Sequence, residues 1–254
     1  MSVELARDGA LATVSLDRPD KRNAQTPQMW RDLTAIGHDL LADDTVRVVV
    51  LRGEGESFSA GLDRAMFGAG TGDEPGLAAL AGSDDAALDA TIAGFQEAFT
   101  WWRDTRVVSI AAVQGHAVGA GFQLALGCDL RVLADDAQLA MKEPSLGLVP
   151  DLAGTKPLVD AVGYSRALEI CATGRWVDAA EAIRIGLASV VVRREELDQA
   201  ARDLAAALLA APAEAVRATK SLLLGAAGRS HAEQQAAERT AQAGRLRDLA
   251  GGAG

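Results

Sequence analysis

Val113 to Asp129 reads Val-Gln-Gly-His-Ala-Val-Gly-Ala-Gly-Phe-Gln-Leu-Ala-Leu-Gly-Cys-Asp, an apolar strand followed by a glycine-rich turn and the start of a helix. Such a turn leaves the first N–H groups of the helix without intrahelical partners, pointing at whatever lies in front of them, and so makes a place for negative charge. A second small-residue turn, Phe58-Ser59-Ala60-Gly61-Leu62-Asp63, follows another strand. Aimed at one point, the two would form an oxyanion hole, the device that stabilises charge developing on a carbonyl oxygen. A third stretch, Lys142-Glu143-Pro144-Ser145-Leu146-Gly147-Leu148-Val149-Pro150-Asp151, carries a carboxylate on either side of an apolar run. Two carboxyl groups in an apolar pocket can divide acid–base work, one protonated by burial and charge repulsion and one ionised.

The elements that must hold these stretches alternate in type. A strand is expected over 11–16, a helix over 26–42, a strand over 46–52, a helix over about 89–104 ending near Trp101 and Trp102, and a buried strand over 107–113, a succession that reads as α/β. Residues 68–85 shift to Gly, Ala, Asp and Ser around Pro75 and read as a long flexible loop. From residue 155 onward the pattern is helical, over 155–162, 165–173, 177–185, 195–209, 213–224 and 231–249, with a strand only at 189–192. The closing Gly251-Gly252-Ala253-Gly254 reads as a disordered tail.

The 254 residues suffice for one large domain, or a domain with a helical appendage, and 49% hydrophobic content fits a globular chain. Aromatic residues are only 4%, so the core rests on small and branched side chains. The formal charge of −10 argues against a nucleic-acid partner, which would need a basic surface. Glu4, Arg7 and Asp8 at the start leave no secretory leader, and no apolar run approaches a membrane span, so a cytoplasmic protein without membrane contact is expected. Cys128 and Cys171 show no metal-ligand spacing and read as reduced core residues, and His38, His116 and His231 as structural.

Together these segments resemble the crotonase family, the enoyl-CoA hydratase/isomerase family. Its marks here are the early strand followed by Arg18-Pro19-Asp20-Lys21-Arg22-Asn23-Ala24, the two glycine turns, Cys128-Asp129-Leu130-Arg131, the Lys142 to Pro150 run, Thr173-Gly174-Arg175, Ala179-Ala180-Glu181-Ala182 and Gly186-Leu187-Ala188. Single glycine turns are common, but this order and spacing over nearly the whole chain is specific. The resemblance implies an α/β fold of the crotonase type, a spiral of β-β-α turns over residues 1–194 with an acyl-CoA site. It also implies a helical region over 195–254 for oligomerisation and pocket closure, with a homotrimer or hexamer as the assembly. The implied enzyme is a lyase or isomerase of fatty-acid metabolism, with coenzyme A as part of the substrate and no permanently bound cofactor or metal. The alternative is an acyl-CoA binding protein that has kept the fold and lost catalysis.

By matching the family turns, the oxyanion donors fall on the backbone N–H of Leu62 and of Ala120, where the family usually has glycine. Ala120 is tolerated if its φ is negative. Coenzyme A is expected at Ala60, Leu62 and Asp63, with Arg22 and Arg64, and Lys21 beside them, as bases for its phosphates. Family hydratases work on one water with two glutamates. Here the first position holds Gln123, an amide that cannot exchange a proton at neutral pH but can hold a water or substrate oxygen. Glu143 keeps the second. Asp151 resembles an aspartate of dienoyl-CoA isomerases, which also follow a Lys-Glu pair, although those enzymes carry a further aspartate where Gln123 stands.

Plainer readings stand beside these. Asp151 could cap a helix starting near Ala153. Glu143 could pair with Lys142 at the surface, and Asp63 could anchor its own turn. Residues 68–85 could be a solvated insertion as readily as a lid over the acyl pocket.

Overall fold

The computed structural model describes residues 2–68, 70–71 and 74–251. β1 (Val3–Asp8) and β2 (Leu11–Leu16) form an antiparallel hairpin around Gly9, whose φ of +57° suits glycine. α1 (Pro27–Leu41) begins where Thr26 accepts the Met29 N–H and Pro27 takes the first helical position. It crosses to β3 (Val48–Gly53), parallel to β2. The pair β4 (Gly70–Thr71) and β5 (Glu74–Pro75), then α2 (Leu77–Leu80), lead into α3 (Asp85–Thr100).

Two layers then grow in step. β6 (Val108–Val113) joins the main sheet, β7 (His116–Val118) starts a second, and α4 (Ala120–Gly127) follows; β8 (Leu130–Ala134) and β9 (Gln138–Ala140) repeat the pattern. After α5 (Thr155–Val162) and α6 (Tyr164–Thr173) come β10 (Val177–Asp178), α7 (Ala179–Arg184) and β11 (Val190–Val192). The main sheet runs β1-β2-β3-β6-β8-β11 and the second β10-β9-β7, with Ser59 bridged onto the β7 side at Ala117. This is the expected spiral, with its repeat in the backbone and none visible in the side chains.

α8 (Leu197–Ala210) buries Leu197, Ala201 and Ala205 against Val48, Val50, Ile110 and Val132, covering the sheet face opposite the main core. Thus α8, although beyond residue 194, packs on the sheet itself. α9 (Ala213–Ala226) and α10 (His231–Gly251) finish the described chain, and no described helix is long and apolar enough to cross a membrane. Gly251 ends α10, and the rest of the tail expected to be disordered lies outside the described residues.

Some element expectations need correction. Residues 68–85 are not one loop: they contain β4, β5 and α2. α3 starts earlier than expected because Asp84 caps it, accepting the Ala87 N–H. Val177 and Asp178, read as helical, pair with Leu139 and Gln138 as β10, after which Asp178 caps α7.

Candidate active site

Strand pairing lays the two glycine turns side by side. Ser59 N–H donates to the His116 carbonyl at 2.9 Å, and Val118 N–H to the Ser59 carbonyl at 3.0 Å. Gly61, at φ +85°, lies so close to β7 that a Cβ would stand 2.4 Å from the Val118 carbonyl; at Gly121 it would stand 2.6 Å from the Ser59 carbonyl. Neither contact tolerates a side chain. The buried Asn23, at φ +53°, braces this junction from outside, its amide donating to the Glu54 and Ser57 carbonyls at 2.9 and 2.8 Å.

Within the turns the N–H groups divide into spent and free. Ala60 N–H donates to the Arg22 carbonyl, Gly61 N–H to Ser59 Oγ and Gly119 N–H to the Ala140 carbonyl. The N–H groups of Leu62 and Ala120 find no acceptor among the described residues. They are neighbours, since a Cβ on Gly61 would lie 3.6 Å from the Ala120 nitrogen. The conformational demand falls on Gly119, at φ +51° and ψ −117°, while Ala120 opens α4 and is absent from the positive-φ positions, so its methyl is accommodated.

Glu143 opens a 3₁₀ turn, Glu143–Leu146, after β9 and is only 9% exposed. Its carboxyl stands against the first turn: a Cβ on Gly119 would meet Oε1 at 3.1 Å. Oε1 accepts from the Gln123 amide at 2.6 Å, while Oε2 is buried without a partner among the described residues. Burial raises the Glu143 pKa, backbone N–H groups at Glu143 and Lys142 and the Gln123 amide oppose the rise, and the charge of Asp151 adds to it. Burial raises Asp151 too. The surface pair with Lys142 does not form: the Lys142 ammonium donates to the Gly174 carbonyl and sits 4.9 Å from the Trp176 ring centroid.

Asp151 is not a helix cap. α5 begins only at Thr155, with Gly154 at its N-cap, because Ala153 turns left-handed at φ +61° and breaks the path. Gln123 is turned to the protein rather than to the cavity. It is 1% exposed, its Oε1 accepts the Leu152 and Gly154 N–H groups at 2.9 and 3.3 Å, and its amide nitrogen is turned to Glu143.

One cavity of about 820 Å³ brings together Ala60, Leu62, Arg64, Ala120, Glu143 and Asp151. Arg22, Asp63 and Gln123 are not among its walls. Exposed Arg22 contributes only its carbonyl, to Ala60. Asp63 anchors its turn by accepting the Ala65 N–H at 3.1 Å and Arg18 at 3.0 Å; burial pushes its pKa up, but these donors outweigh it and hold the carboxyl below the usual range.

The apolar wall escaped the sequence reading. Trp30 from α1, Phe95 and Ile92 from α3 and Leu77 and Leu80 from α2 line it. The Trp30 N–H is spent on Gln25 Oε1 at 2.8 Å, so its ring meets the cavity as an apolar surface. The apolar stripes of α1 and α3 were the available signal, but a stripe does not say whether core or cavity lies beneath it. Among the described residues no three His, Cys, Asp or Glu side chains group to hold a metal ion.

Comparison with known proteins gives this geometry relatives. The family described as Enoyl-CoA hydratase/isomerase matches residues 6–246. Two crystal structures of a protein named as a candidate enoyl-CoA hydratase of Thermobifida fusca YX, one in complex with CoA and one with acetoacetyl-CoA, are each 54% identical. They superpose with a TM-score of 0.92, covering 98% and 97% of this chain and 94% and 95% of theirs. The Mycobacterium tuberculosis protein EchA17, named as a candidate enoyl-CoA hydratase, is 34% identical over 234 residues, 92% of this chain and 84% of its own length. With the spiral fold and a match over nearly its full length, this chain belongs to the enoyl-CoA hydratase/isomerase family.

Proposed function

We propose that the chain acts on an unsaturated fatty acyl-CoA thioester, with the Leu62 and Ala120 N–H groups receiving the thioester oxygen and Glu143 carrying the proton. The observation that supports this best is the meeting, in one cavity, of two backbone donors and a buried carboxyl oxygen that have no partner among the described residues. Charge arriving on the thioester oxygen when an α-proton leaves would be met by both donors, each worth about 2.7 to 4 kcal/mol in such sites. Glu143 takes that proton while ionised. Its raised pKa keeps it a usable acid for returning the proton, and Asp151 lies along the same wall to serve a carbon further down the chain.

The Thermobifida complexes support coenzyme A as the carrier group. Ala60, its N–H spent on Arg22, offers only its carbonyl, an acceptor suited to the adenine amine. Of the two cations among the described residues that line the cavity, Lys142 is turned to the Gly174 carbonyl and Arg64 is exposed, so Arg64 is assigned the phosphates; Arg22 lies outside the cavity walls. Residues 195–254 are assigned to oligomerisation, with α8 serving the core as well.

The test is to incubate the purified chain with 2-enoyl-, 3-enoyl- and 3,5-dienoyl-CoA of several lengths and follow absorbance and mass. Turnover that Glu143→Gln lowers about 10²-fold or more, with binding nearly intact, is the expected result. Tight binding with no turnover on any of these thioesters would leave the non-catalytic acyl-CoA binder instead.

A further inference from the structure

We infer that Gln123 is a positioning residue: it makes Oε2 of Glu143 the reacting oxygen and thereby commits the site to moving a proton between carbons rather than adding water. The inference rests on the reading of Glu143 as proton carrier given above.

The orientation of the Gln123 amide is fixed by what surrounds it. Leu152 and Gly154 both aim N–H groups at one terminal atom, at 2.9 and 3.3 Å, and only an oxygen can accept them. The other atom is therefore the NH₂, and at 2.6 Å it donates to Glu143 Oε1. Oε1 is thus held as an acceptor, so a proton on Glu143 resides on Oε2, which has no partner among the described residues. The two oxygens of one carboxyl are made inequivalent by a residue that does not itself line the cavity.

The same amide ties down the segment bearing Asp151. Ala153 takes φ +61°, a strained value for a residue with a Cβ, between the two N–H groups that Gln123 accepts. Gly154 packs against it so closely that a Cβ would lie 2.7 Å from Gln123 Cγ. One neutral side chain thereby sets both carboxylate-bearing segments.

A glutamate at 123 would behave differently. One oxygen would take the two N–H groups, and the other would face Glu143 Oε1 at the 2.6 Å now spanned by a hydrogen bond. Two carboxylates at that separation must share a proton. The chain avoids this with an amide, leaving one oxygen free. That oxygen suits a balanced migration. Oε2 takes the C2 proton of a 3-enoyl thioester, and the C2–H electron pair enters a dienolate whose oxygen lies at the two N–H groups. The proton then returns at C4, leaving the double bond between C2 and C3. No water is consumed. Among the described residues the titratable and charged groups around Glu143 are Asp151, Lys142, whose ammonium is turned to Gly174, Cys171 on α6, and Arg64 on the same cavity; α4 carries none.

The test uses the full chain with 3-enoyl-CoA and 2-enoyl-CoA. Gln123→Met keeps the length and removes the donor. It should lower isomerisation kcat about tenfold or more, leave KM within about threefold, and move the acid limb of kcat/KM up by about one pH unit, because the ionised carboxyl loses its hydrogen bond. Gln123→Glu should also raise the acid limb and lower isomerisation, with no faster water addition. Because it keeps both backbone bonds, it carries the same acid-limb test if the methionine variant does not fold. An unchanged kcat and acid limb would overturn the positioning role, which a mere packing role would not alter. Faster hydration by Gln123→Glu, or a wild type that hydrates without isomerising, would overturn the commitment to proton migration. Glu143→Gln is run in parallel: if it stays active, the underlying reading fails, whereas an inactive Glu143→Gln beside a normal Gln123→Met defeats this inference alone.

Discussion

A buried carboxyl with one oxygen unpaired costs stability, and Glu143 is in that position among the described residues. Its folded pKa is raised above the ordinary 4.5, so over that interval the native chain holds a proton that the unfolded chain has released. Its contribution to stability is therefore fully present below pH 4.5 and is lost as pH rises through the folded value. Glu143→Gln does not titrate. Its melting temperature should rise above that of the wild type towards neutral pH, and the gap should close as pH falls to about 4.5; a constant gap across that range would contradict the argument. Gly119→Ala should disturb the same carboxyl from the backbone side. Its Cβ would meet Glu143 Oε1 at 3.1 Å from a backbone at φ +51°, so turnover should fall about 10²-fold through misplacement of both carboxyl and turn, measured as kcat on 3-enoyl-CoA. The sequence revealed the two turns and Glu143 because glycine and Pro-Glu signatures are local. It did not reveal which way Gln123 points, because that depends on the Leu152 and Gly154 N–H groups, which reach it only through the left-handed Ala153.

Elements were legible where pattern and caps agreed. α1, β2, α5 and β11 lie close to their expected bounds, and the Thr26 cap and the apolar alternation say why. β1, β4, β5 and β7 to β10 were missed, β1 and β10 for a shared reason. β1 has an edge pattern with most of its residues exposed or half-buried, and β10 is two residues long, so neither carries a periodic signal of its own. Long-range pins are equally invisible in a sequence. Lys220 on α9, 8% exposed, donates at 2.7 Å to the Asp104 and Val107 carbonyls and to Asp129, which also accepts Ser109 N–H and Oγ at 2.8 and 3.1 Å. Burial lowers the Lys220 pKa and the Asp129 charge restores part of it. Lys220→Ala would strand a carboxylate and two carbonyls, so stability should fall by about 3 kcal/mol, read as a lower urea midpoint at unchanged slope. A loss below about 1 kcal/mol would mean that water replaces the ammonium there.

At the scale of the whole molecule, exposed apolar side chains and net charge set what the chain meets. Leu223 and Leu224 on α9 and Leu246 and Leu249 on α10 are exposed in the single chain, as are Leu146 and Val149 beside the cavity. If these patches meet in the trimer or hexamer that the family resemblance implies, light scattering should give three or six times the 26.3 kDa chain mass, and a stable monomer at micromolar concentration would refute that. The charge of −10 bears on the ligand. A CoA thioester is itself anionic, so at low ionic strength the chain as a whole repels it, and only local cations draw it in. Arg64 is at the cavity and exposed, whereas Arg22 is exposed but not among the cavity walls. Arg64→Ala should weaken CoA-thioester binding about two- to fivefold at low salt, the usual worth of one exposed charge, while Arg22→Ala should leave it nearly unchanged. Screening acts over about 10 Å at 0.1 M salt, so added salt weakens the attraction to Arg64 and the repulsion by the rest of the chain together. The association rate of Arg64→Ala should thus rise with salt more steeply than that of the wild type, because repulsion is all that salt has left to remove. Stopped-flow association at several ionic strengths decides it: parallel salt curves for the two proteins would take the phosphates away from Arg64.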